Sequence, residues 1–216
     1  MARRTKADAQ ATRSSLLDAA EHLFQARGVS RTSLNDIATA AGTTRGAIYW
    51  HFKDKADLFN AMMERVKLPM EAALHQMGHD AGTDPLDGLR QAIASALQRI
   101  VSDEQTRRVF EVATHKVEYV DDLLAIKTQH VQARAGGVEA FERRLAAAAS
   151  GRGVVVAMPL PVAARALHAL VVGLIHDWLL AAGDFDLLAD GMCAVDVLLG
   201  GLGLSPVGPV PVWHAA

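Results

Sequence analysis

The segment Ser33–Lys55 restricts the possible fold more than any other part of this chain. Its first residue is a good N-cap, and Asp36 three residues later completes a capping box, so a short helix is predicted to begin here. Gly42 supplies the backbone freedom for a tight turn, after which Thr43 or Thr44 caps a second short helix. The first helix carries an apolar stripe at helical spacing that consists of Leu34, Ile37, Ala38 and Ala41, and in the second helix Ile48 and Phe52 face inward four residues apart. The pattern predicts a helix-turn-helix.

The outward side of the second helix carries groups that suit contact with nucleic acid. Hydrogen-bond donors to bases or phosphates, none of them acidic, are Thr44, Arg45, Tyr49 and His51. Gly46 keeps the helix surface low, so that the backbone can approach a groove closely. Lys53 and Lys55 come at the start of the next helix, where lysine and free backbone N–H groups suit a phosphate. In this interpretation the second helix lies in the DNA major groove.

A second interpretation makes the same segment a small helical corner with an aromatic core. Tyr49, Trp50 and Phe52 are then packing residues, and the two lysines form a solvated face. The helical pattern by itself leaves both interpretations open.

The residues themselves resemble the DNA-binding domain of the TetR family, and above all its AcrR-like branch, the local repressors of multidrug efflux pump genes. The segments that carry the resemblance are Met1–Lys6, Leu17–Glu21, Thr32–Leu34 and Thr44–Lys55, with a weaker similarity at Thr106–Arg108 and Trp178-Leu179. The resemblance implies an all-α protein. Its N-terminal part is expected to be a three-helix helix-turn-helix DNA-binding domain, and its C-terminal part a helical ligand-binding and dimerisation domain, with about nine helices in all.

By the resemblance, the DNA-binding residues divide into two groups. Those expected to read or approach bases are Thr44, Arg45, Gly46 and Tyr49. Those expected to hold phosphates are Thr32, Ser33, Trp50, His51 and Lys55, and Thr43 is added to the DNA-binding set as the alternative cap at the turn. Each phosphate contact makes binding more sensitive to salt.

Composition supports a soluble protein with an uneven distribution of charge. The first 55 residues hold nine Lys and Arg against five Asp and Glu, whereas the remainder holds thirteen against nineteen. A basic head on an acidic body is expected when only the head contacts phosphate. The basic N-terminal arm consists of Arg3, Arg4, Lys6 and Arg13. It is expected either to reach a neighbouring groove of the DNA or to be a frayed terminus.

Neither a membrane span nor a disulfide is expected. No apolar signal core follows Met1, and the longest apolar run, Leu167–Leu180, is interrupted by histidines and an aspartate, so we expect a cytoplasmic location. The single Cys193 is expected to be a small buried hydrophobe.

Helical periodicity continues along the rest of the chain. Expected helices cover residues 10–26, 85–101, 103–115, 117–149, 161–181 and 186–202, besides the two short helices and a fourth helix that begins near Lys55. Pro69 is expected to kink or end that fourth helix. Val154–Met158 is expected to be a connector and not a strand. The predicted domains are residues 1–54 for DNA binding, 55–204 for ligand binding and dimerisation, and 205–216 as a flexible tail.

Two apolar stripes near the C-terminal end are the predicted dimer surface. The first contains small residues and consists of Ala166, Ala169 or Leu170, Gly173 and Asp177. The second consists of Leu187, Leu188, Met192, Val195, Leu198 and Leu199. The alternative is that both stripes are buried inside one chain. Two recognition helices of a dimer must lie about 34–36 Å apart, one DNA turn.

The resemblance also suggests a cavity for a small molecule in the middle helices, where flexible apolar residues are common. Its expected lining residues are Met63, Lys67, Met70, Leu97, Phe110, Thr114, Val117, Phe141, Val172, Ile175 and His176. Lys67 stands where close relatives carry an acidic residue, so an inward Lys67 would favour neutral or anionic ligands over cations. Ordinary core packing is the alternative for any one of these residues.

No motif of catalysis or metal binding stands out. The chain has no G-x-S-x-G, no Walker-type loop and no H-E-x-x-H, and the pair His75 and His79 is expected to be a surface pair. We therefore expect no enzyme activity, no cofactor and no metal. The expected function is ligand-responsive repression through a pseudo-palindromic operator in double-stranded DNA, exerted by a homodimer on a multidrug efflux operon and relieved by a hydrophobic or aromatic inducer. The alternatives are a TetR-type regulator of metabolic genes that responds to a metabolite, and a helical adaptor that binds protein only.

Overall fold

The computed structural model describes residues 6–77, 84–118, 124–181 and 183–204, and within 68–77 it describes the backbone only. This part of the chain contains helices and no strand, as predicted. The helices are α1 Lys6–Arg27, α2 Leu34–Ala40, α3 Arg45–His51, α4 Lys55–Met77, α5 Pro85–Ser102, α6 Glu104–His115, α7 Leu124–Arg152, α8 Leu160–Leu180 and α9 Leu187–Gly201. Val154–Met158 is a connector between α7 and α8, as expected.

Three boundaries differ from those expected from the sequence. α1 begins at Lys6 and not at residue 10. α4 is one helix of 23 residues that continues past Pro69, so a helix-breaking residue neither ends the helix nor divides it in two. α7 is the helix Leu124–Arg152, and residues 117–118, which follow the C-cap Lys116 of α6, are not helical, so the expected start at residue 117 is wrong. The predicted break at 78–83 and the predicted tail at 205–216 lie outside the described residues.

The chain divides into two compact units, and this division does not follow the predicted boundary near residue 55. The first unit consists of the described residues within Met1–Glu71 and Ser102–Ala133. The second consists of those within Ala72–Val101 and Arg134–Ala216. Packing explains the difference, because residues of α4, α6 and α7 are buried in one core with those of the three N-terminal helices.

The core of the first unit joins α1, α2 and α3 to parts of α4, α6 and α7. Phe24 of α1 meets Phe59 of α4 with ring centroids 6.4 Å apart. Further fully buried contributors from the later helices are Leu58, Met62, Val109, Val112 and Ile126. The helix-turn-helix thus packs on α1, and α1 in turn packs on α6 within the same core.

The second unit is a helical bundle of α5, α8, α9 and most of α7. Arg90 of α5 donates to both carboxylate oxygens of Asp196 in α9, at 2.6 and 2.7 Å. Arg152 at the end of α7 pairs with Asp84 just before α5. Three residues of the predicted dimer stripes, Leu187, Val195 and Leu199, are buried in the core. For these three the prediction of a dimer surface is wrong, and the alternative, burial within one chain, is confirmed.

α8 is long and apolar enough to cross a membrane by length and composition alone. This is weak support for a span, because the core helices of many proteins have the same properties, and α8 carries Arg165 and Asp177. Cys193 in α9 is half-buried and not fully buried as expected.

Candidate DNA-binding face

The start of α2 is fixed by a capping box, as the sequence predicted. The Ser33 hydroxyl accepts from the Asp36 backbone N–H at 3.1 Å, and the Asp36 carboxylate accepts from the Ser33 N–H at 2.9 Å. The hydrogen bond from the Ser33 hydroxyl, together with the one from its backbone, lowers the pKa of the Asp36 carboxyl below its ordinary value. The carboxylate therefore stays ionised at the helix N-terminus, where negative charge is favourable.

The turn between α2 and α3 needs its glycine. Gly42 has φ of +66°, and the following N–H, from Thr43, donates back to the carbonyl of Ala38 at 2.9 Å. Thr44 is the N-cap of α3, since its Oγ1 accepts from the Ala47 N–H at 3.2 Å. The choice that the sequence left open between two threonines is thus settled in favour of Thr44.

α3 has one buried side and one exposed side. Ile48 and Phe52 point into the core of the first unit, whereas Tyr49 is 50% and Trp50 is 74% exposed. The interpretation of Tyr49 and Trp50 as packing residues is therefore wrong, although it holds for Phe52. Two neighbouring exposed aromatic side chains of the types enriched at interfaces indicate a contact surface.

Other predicted base-reading groups share the exposed side. Thr44, Arg45 and Gly46 are exposed, and the Arg45 guanidinium lies 5.8 Å from the centre of the Tyr49 ring. A Cβ built on Gly46 meets nothing closer than the Thr44 hydroxyl at 4.0 Å, so the glycine leaves open space above the helix. The resulting surface, named the α3 face, comprises Thr44, Arg45, Gly46, Tyr49 and Trp50. His51 is half-buried with its ring edge-on to Trp50, and Thr43 is half-buried at the turn.

Two predicted phosphate contacts are used inside the first unit. Thr32 is 1% exposed and its hydroxyl donates to the carbonyl of Gly28 at 2.9 Å, so the prediction that this side chain contacts phosphate is wrong. The Ser33 hydroxyl donates to the Asp36 carboxylate at 2.6 Å, and its backbone N–H is bound by the same group. Both residues were selected for their position before α2, and that position is also where caps are needed.

The start of α4 differs from the expected phosphate site. The Lys55 ammonium donates to three backbone carbonyls, those of Val29 at 2.8 Å, Ser30 at 3.0 Å and Thr32 at 2.9 Å. The backbone N–H of Asp57 donates to Asp54, and that of Lys53 donates to Asp57. These two N–H groups, which were expected to be free for a phosphate, are thus already bound, whereas the Lys53 side chain is exposed.

The basic arm is described in part. Arg3 and Arg4 lie outside the described residues, whereas Lys6 is exposed in the first turn of α1. The Arg13 guanidinium lies over the Phe52 ring, 5.1 Å from its centre, so Arg13 is attached to the end of α3.

A buried carboxylate that the sequence pattern did not single out lies between α1, α4 and α6. Glu21 of α1 is 1% exposed and accepts from Arg65 of α4 at 2.9 Å and from Gln105 of α6 at 3.1 Å, with Arg108 3.8 Å away. Burial raises the pKa of the Glu21 carboxyl above its ordinary value, against the opposing effects of these partners. The available signal was its position four residues after Leu17, on the apolar stripe of α1.

The predicted ligand-binding residues are divided between the two units. In the first unit four are half-buried, namely Met63, Phe110, Thr114 and Val117, and Lys67 is exposed. In the second unit Leu97 and Ile175 are buried, Phe141 and His176 are half-buried, and Val172 is exposed. The side chain of Met70 lies outside the described residues. The exposure of Lys67 leaves no support for the argument that its charge selects the ligand.

The described residues contain no group of three or more potential metal-binding side chains. The predicted surface pair cannot be assigned, because His79 and the side chain of His75 lie outside the described part.

A capped helix-turn-helix that presents an exposed helix face of polar, basic and aromatic residues defines a DNA-binding protein. Residues 16–62 match the family "Bacterial regulatory proteins, tetR family", and residues 84–203 match "MAATS-type transcriptional repressor, C-terminal region". The HTH-type transcriptional regulator TtgR of Pseudomonas putida is 39% identical over 206 residues, 95% of this chain and 98% of TtgR.

Two solved structures are similar over almost the whole chain. NalD, the secondary repressor of the MexAB-OprM multidrug efflux pump in Pseudomonas aeruginosa, matches with a TM-score of 0.80 and 35% identity, covering 95% of this chain and 100% of NalD. SmeT is the repressor of the Stenotrophomonas maltophilia multidrug efflux pump SmeDEF. Its complex with triclosan matches with a TM-score of 0.80 and 32% identity, covering 95% of this chain and 100% of SmeT. The chain belongs to the TetR family of transcriptional regulators, in its AcrR-like branch.

Proposed function

We propose that this protein is a ligand-responsive repressor that binds a pseudo-palindromic operator as a homodimer in the cytoplasm and controls a multidrug efflux operon. The observation that carries the proposal is the exposed α3 face on a family member similar to NalD and SmeT, both repressors of such pumps. The chain belongs to a family of transcriptional regulators, and this supports the proposal that the protein acts by binding and not by catalysis.

Thr44, Arg45 and Tyr49 are proposed to contact base edges, and Gly46 lets the backbone of α3 approach them. Arginine and threonine donors suit the acceptors of the major groove. Trp50, His51 and the exposed Lys53 are proposed to lie against the sugar-phosphate backbone, with Thr43 beside them at the turn. Phosphate contacts position the protein, whereas base contacts select the sequence.

A homodimer is proposed because a pseudo-palindrome requires two α3 faces, one for each half-site. The remaining exposed or half-buried residues of the predicted dimer stripes supply a surface: Ala166, Ala169, Leu170, Gly173, Asp177, Leu188, Met192 and Leu198. The exposed apolar residues Val172, Leu180 and Val197 on α8 and α9 extend it. Small residues on α8 would let two helices pack closely.

The inducer is proposed to be a hydrophobic, uncharged or weakly charged aromatic molecule. Triclosan, an aromatic phenol, is bound by the similar protein SmeT. The predicted lining residues of this chain are mainly aliphatic, aromatic and thioether side chains, which suit such a ligand. The inducer would act by binding one conformation of the protein more tightly than the other, since only differential affinity shifts an equilibrium.

Fluorescence anisotropy with DNA from upstream of the gene and its neighbours tests the proposal. We expect tight binding to one short palindrome, weakened at higher salt and reversed by triclosan but not by a cationic dye of similar size. Release by the dye alone would overturn the proposed ligand class. Specific binding reversed only by an endogenous metabolite would identify a regulator of metabolic genes instead.

A further inference from the structure

The Lys55 side chain donates three hydrogen bonds to one loop. This loop, residues 28–33, joins α1 to α2 and is named the α1–α2 loop. A lysine ammonium has three N–H groups and no acceptor, and the carbonyls of Val29, Ser30 and Thr32 lie at 2.8, 3.0 and 2.9 Å from its nitrogen. All three donors therefore have a partner within the protein.

The position of Lys55 gives these bonds a structural consequence. Thr32 comes two residues before α2, and Lys55 comes at the start of α4, just after α3. The hydrogen bonds between them close the chain on both sides of the helix-turn-helix, so that α2 and α3 lie inside a ring of backbone joined by one ammonium group. The orientation of α3 relative to α1 then depends on Lys55.

The α1–α2 loop is also held from α6. The Val29 N–H donates to the carbonyl of Lys116 at 2.9 Å, and the Ser30 hydroxyl donates to Glu118 at 2.8 Å. The loop is thus fixed between the end of α6 and the start of α4. Its carbonyls have little freedom to follow Lys55 if the ammonium turns toward another acceptor.

A phosphate is a poor competitor for this ammonium. Moving Lys55 to a phosphate would leave three carbonyls without their charged donor, and a hydrogen bond to a charged group is stronger than a neutral one. Asp54 and Asp57 cap the same helix end with their carboxylates, which repel a phosphate.

We infer that Lys55 is a positioning residue of the operator-binding site: its ammonium ties the α1–α2 loop to α4, sets the orientation of the α3 face, and does not contact phosphate. This inference rests on the proposed function, because it takes the α3 face to be the part that reads the operator. It assigns Lys55 a role in specificity and not in electrostatic attraction.

Two variants distinguish positioning from phosphate contact. Lys55→Arg keeps the charge and suits a phosphate at least as well, but a planar guanidinium cannot direct three donors to three converging carbonyls in the same way. Lys55→Met removes the charge and keeps the aliphatic stem. Lys127→Met, at an exposed position of α7, is the matched control for loss of one positive charge.

The readouts are operator affinity, affinity for a scrambled duplex, and the slope of log K against log salt, each measured with protein shown to be folded by circular dichroism. We expect both Lys55 variants to lose at least about tenfold in operator affinity, corresponding to about 1.4 kcal/mol. The salt slope and the affinity for scrambled DNA should equal those of wild type in Lys55→Arg and those of Lys127→Met in Lys55→Met.

The inference would be overturned if Lys55→Arg bound the operator as tightly as wild type. It would also be overturned if the salt slope of Lys55→Met were smaller in magnitude than that of Lys127→Met by about 0.9 per chain. If Lys55→Met does not fold, Lys55→Arg decides by itself, because the two roles predict opposite results for it. Failure of the wild-type protein to bind any operator would instead refute the proposed function.

Discussion

Neighbouring residues of α3 have opposite surroundings, and this difference separates stability from DNA binding. Ile48 is buried in the core of the first unit, and Tyr49 is half exposed on the α3 face. A buried aliphatic side chain contributes through packing, whereas an exposed aromatic one contributes little to folding. Each of the two functions of α3 can therefore be removed without the other.

Tyr49→Ala should weaken operator binding at least about tenfold and change the free energy of unfolding by less than about 1 kcal/mol. Ile48→Ala, the matched control, should lower the free energy of unfolding by about 2–5 kcal/mol because it leaves a cavity. Urea denaturation and anisotropy titrations measure the two quantities. A large loss of stability in Tyr49→Ala would show that the exposed ring is a packing residue after all.

Glu21 makes a second residue-scale prediction, on pH. Because burial raises the pKa of its carboxyl above the ordinary value of 4.5, the folded protein holds more protons than the unfolded chain between these two pKa values. Stability contributed by this group is therefore greater on the acid side and falls as pH rises through the folded pKa. Relative to Glu21→Gln, the wild-type protein should lose free energy of unfolding across this window and then remain level.

Urea denaturation of both proteins between about pH 5 and 8 measures this difference. The glutamine variant keeps the size of the side chain and one acceptor oxygen, and it removes the titration. A gain of wild-type stability relative to Glu21→Gln as pH rises would mean that the arginines around Glu21 outweigh its burial.

At the scale of helices, the sequence predicted those features that depend on neighbours in the chain. Ser33, Gly42 and Thr44 act at the caps and the turn as expected, since their partners lie within a few residues. The roles of Thr32 and Lys55 were missed, because Lys55 is bonded to Thr32 across 23 positions of the chain. No local pattern distinguishes a lysine that meets a phosphate from one that meets a distant loop.

Continuity through Pro69 was not predictable for a related reason. A proline inside a helix costs about 3 kcal/mol of free energy relative to alanine. Whether packing offsets that cost depends on tertiary contacts that a sequence pattern does not contain. The effect of Lys67 on ligand choice was not predictable either, because it depends on whether the side chain points into the protein or into solvent.

Replacing Gly46 by alanine is expected to have opposite effects on the stability of α3 and on operator binding. Its Cβ position is open, so Gly46→Ala should raise the free energy of unfolding by about 0.5–1 kcal/mol through helix propensity. The added methyl group stands on the α3 face and should weaken operator binding. Gly136→Ala, in an open position of α7, is the control that should gain stability without losing affinity. Equal operator affinity in Gly46→Ala and wild type would mean that the backbone of α3 does not approach DNA closely.

At the scale of the molecule, packing and sequence family divide the chain differently. The family matches change between residues 62 and 84, whereas the first compact unit also takes in α6 and the start of α7. The resemblance supplied the helical fold and the class of function. It did not supply the packing of α6 on α1, because that contact depends on residues far apart in the chain.

The proposed dimer surface makes a prediction for assembly. Ala169 is exposed on α8, so Ala169→Arg should place a charge at the centre of a close helix contact and give a monomer with weak operator binding. Ala135→Arg, at an exposed position of α7, should leave the dimer intact. Sedimentation velocity and anisotropy measure both. A dimeric Ala169→Arg would place the interface elsewhere on the chain.

The most direct test of the central claim is selection of genomic DNA fragments by the purified protein, followed by anisotropy titration of the selected site with wild type and Tyr49→Ala. If the α3 face is the operator-reading surface, we expect one recurring pseudo-palindrome that wild type binds far more tightly than scrambled DNA and that Tyr49→Ala binds at least about tenfold more weakly than wild type does. Selection of no recurring sequence, or equal binding of the selected site by the two proteins, would contradict it.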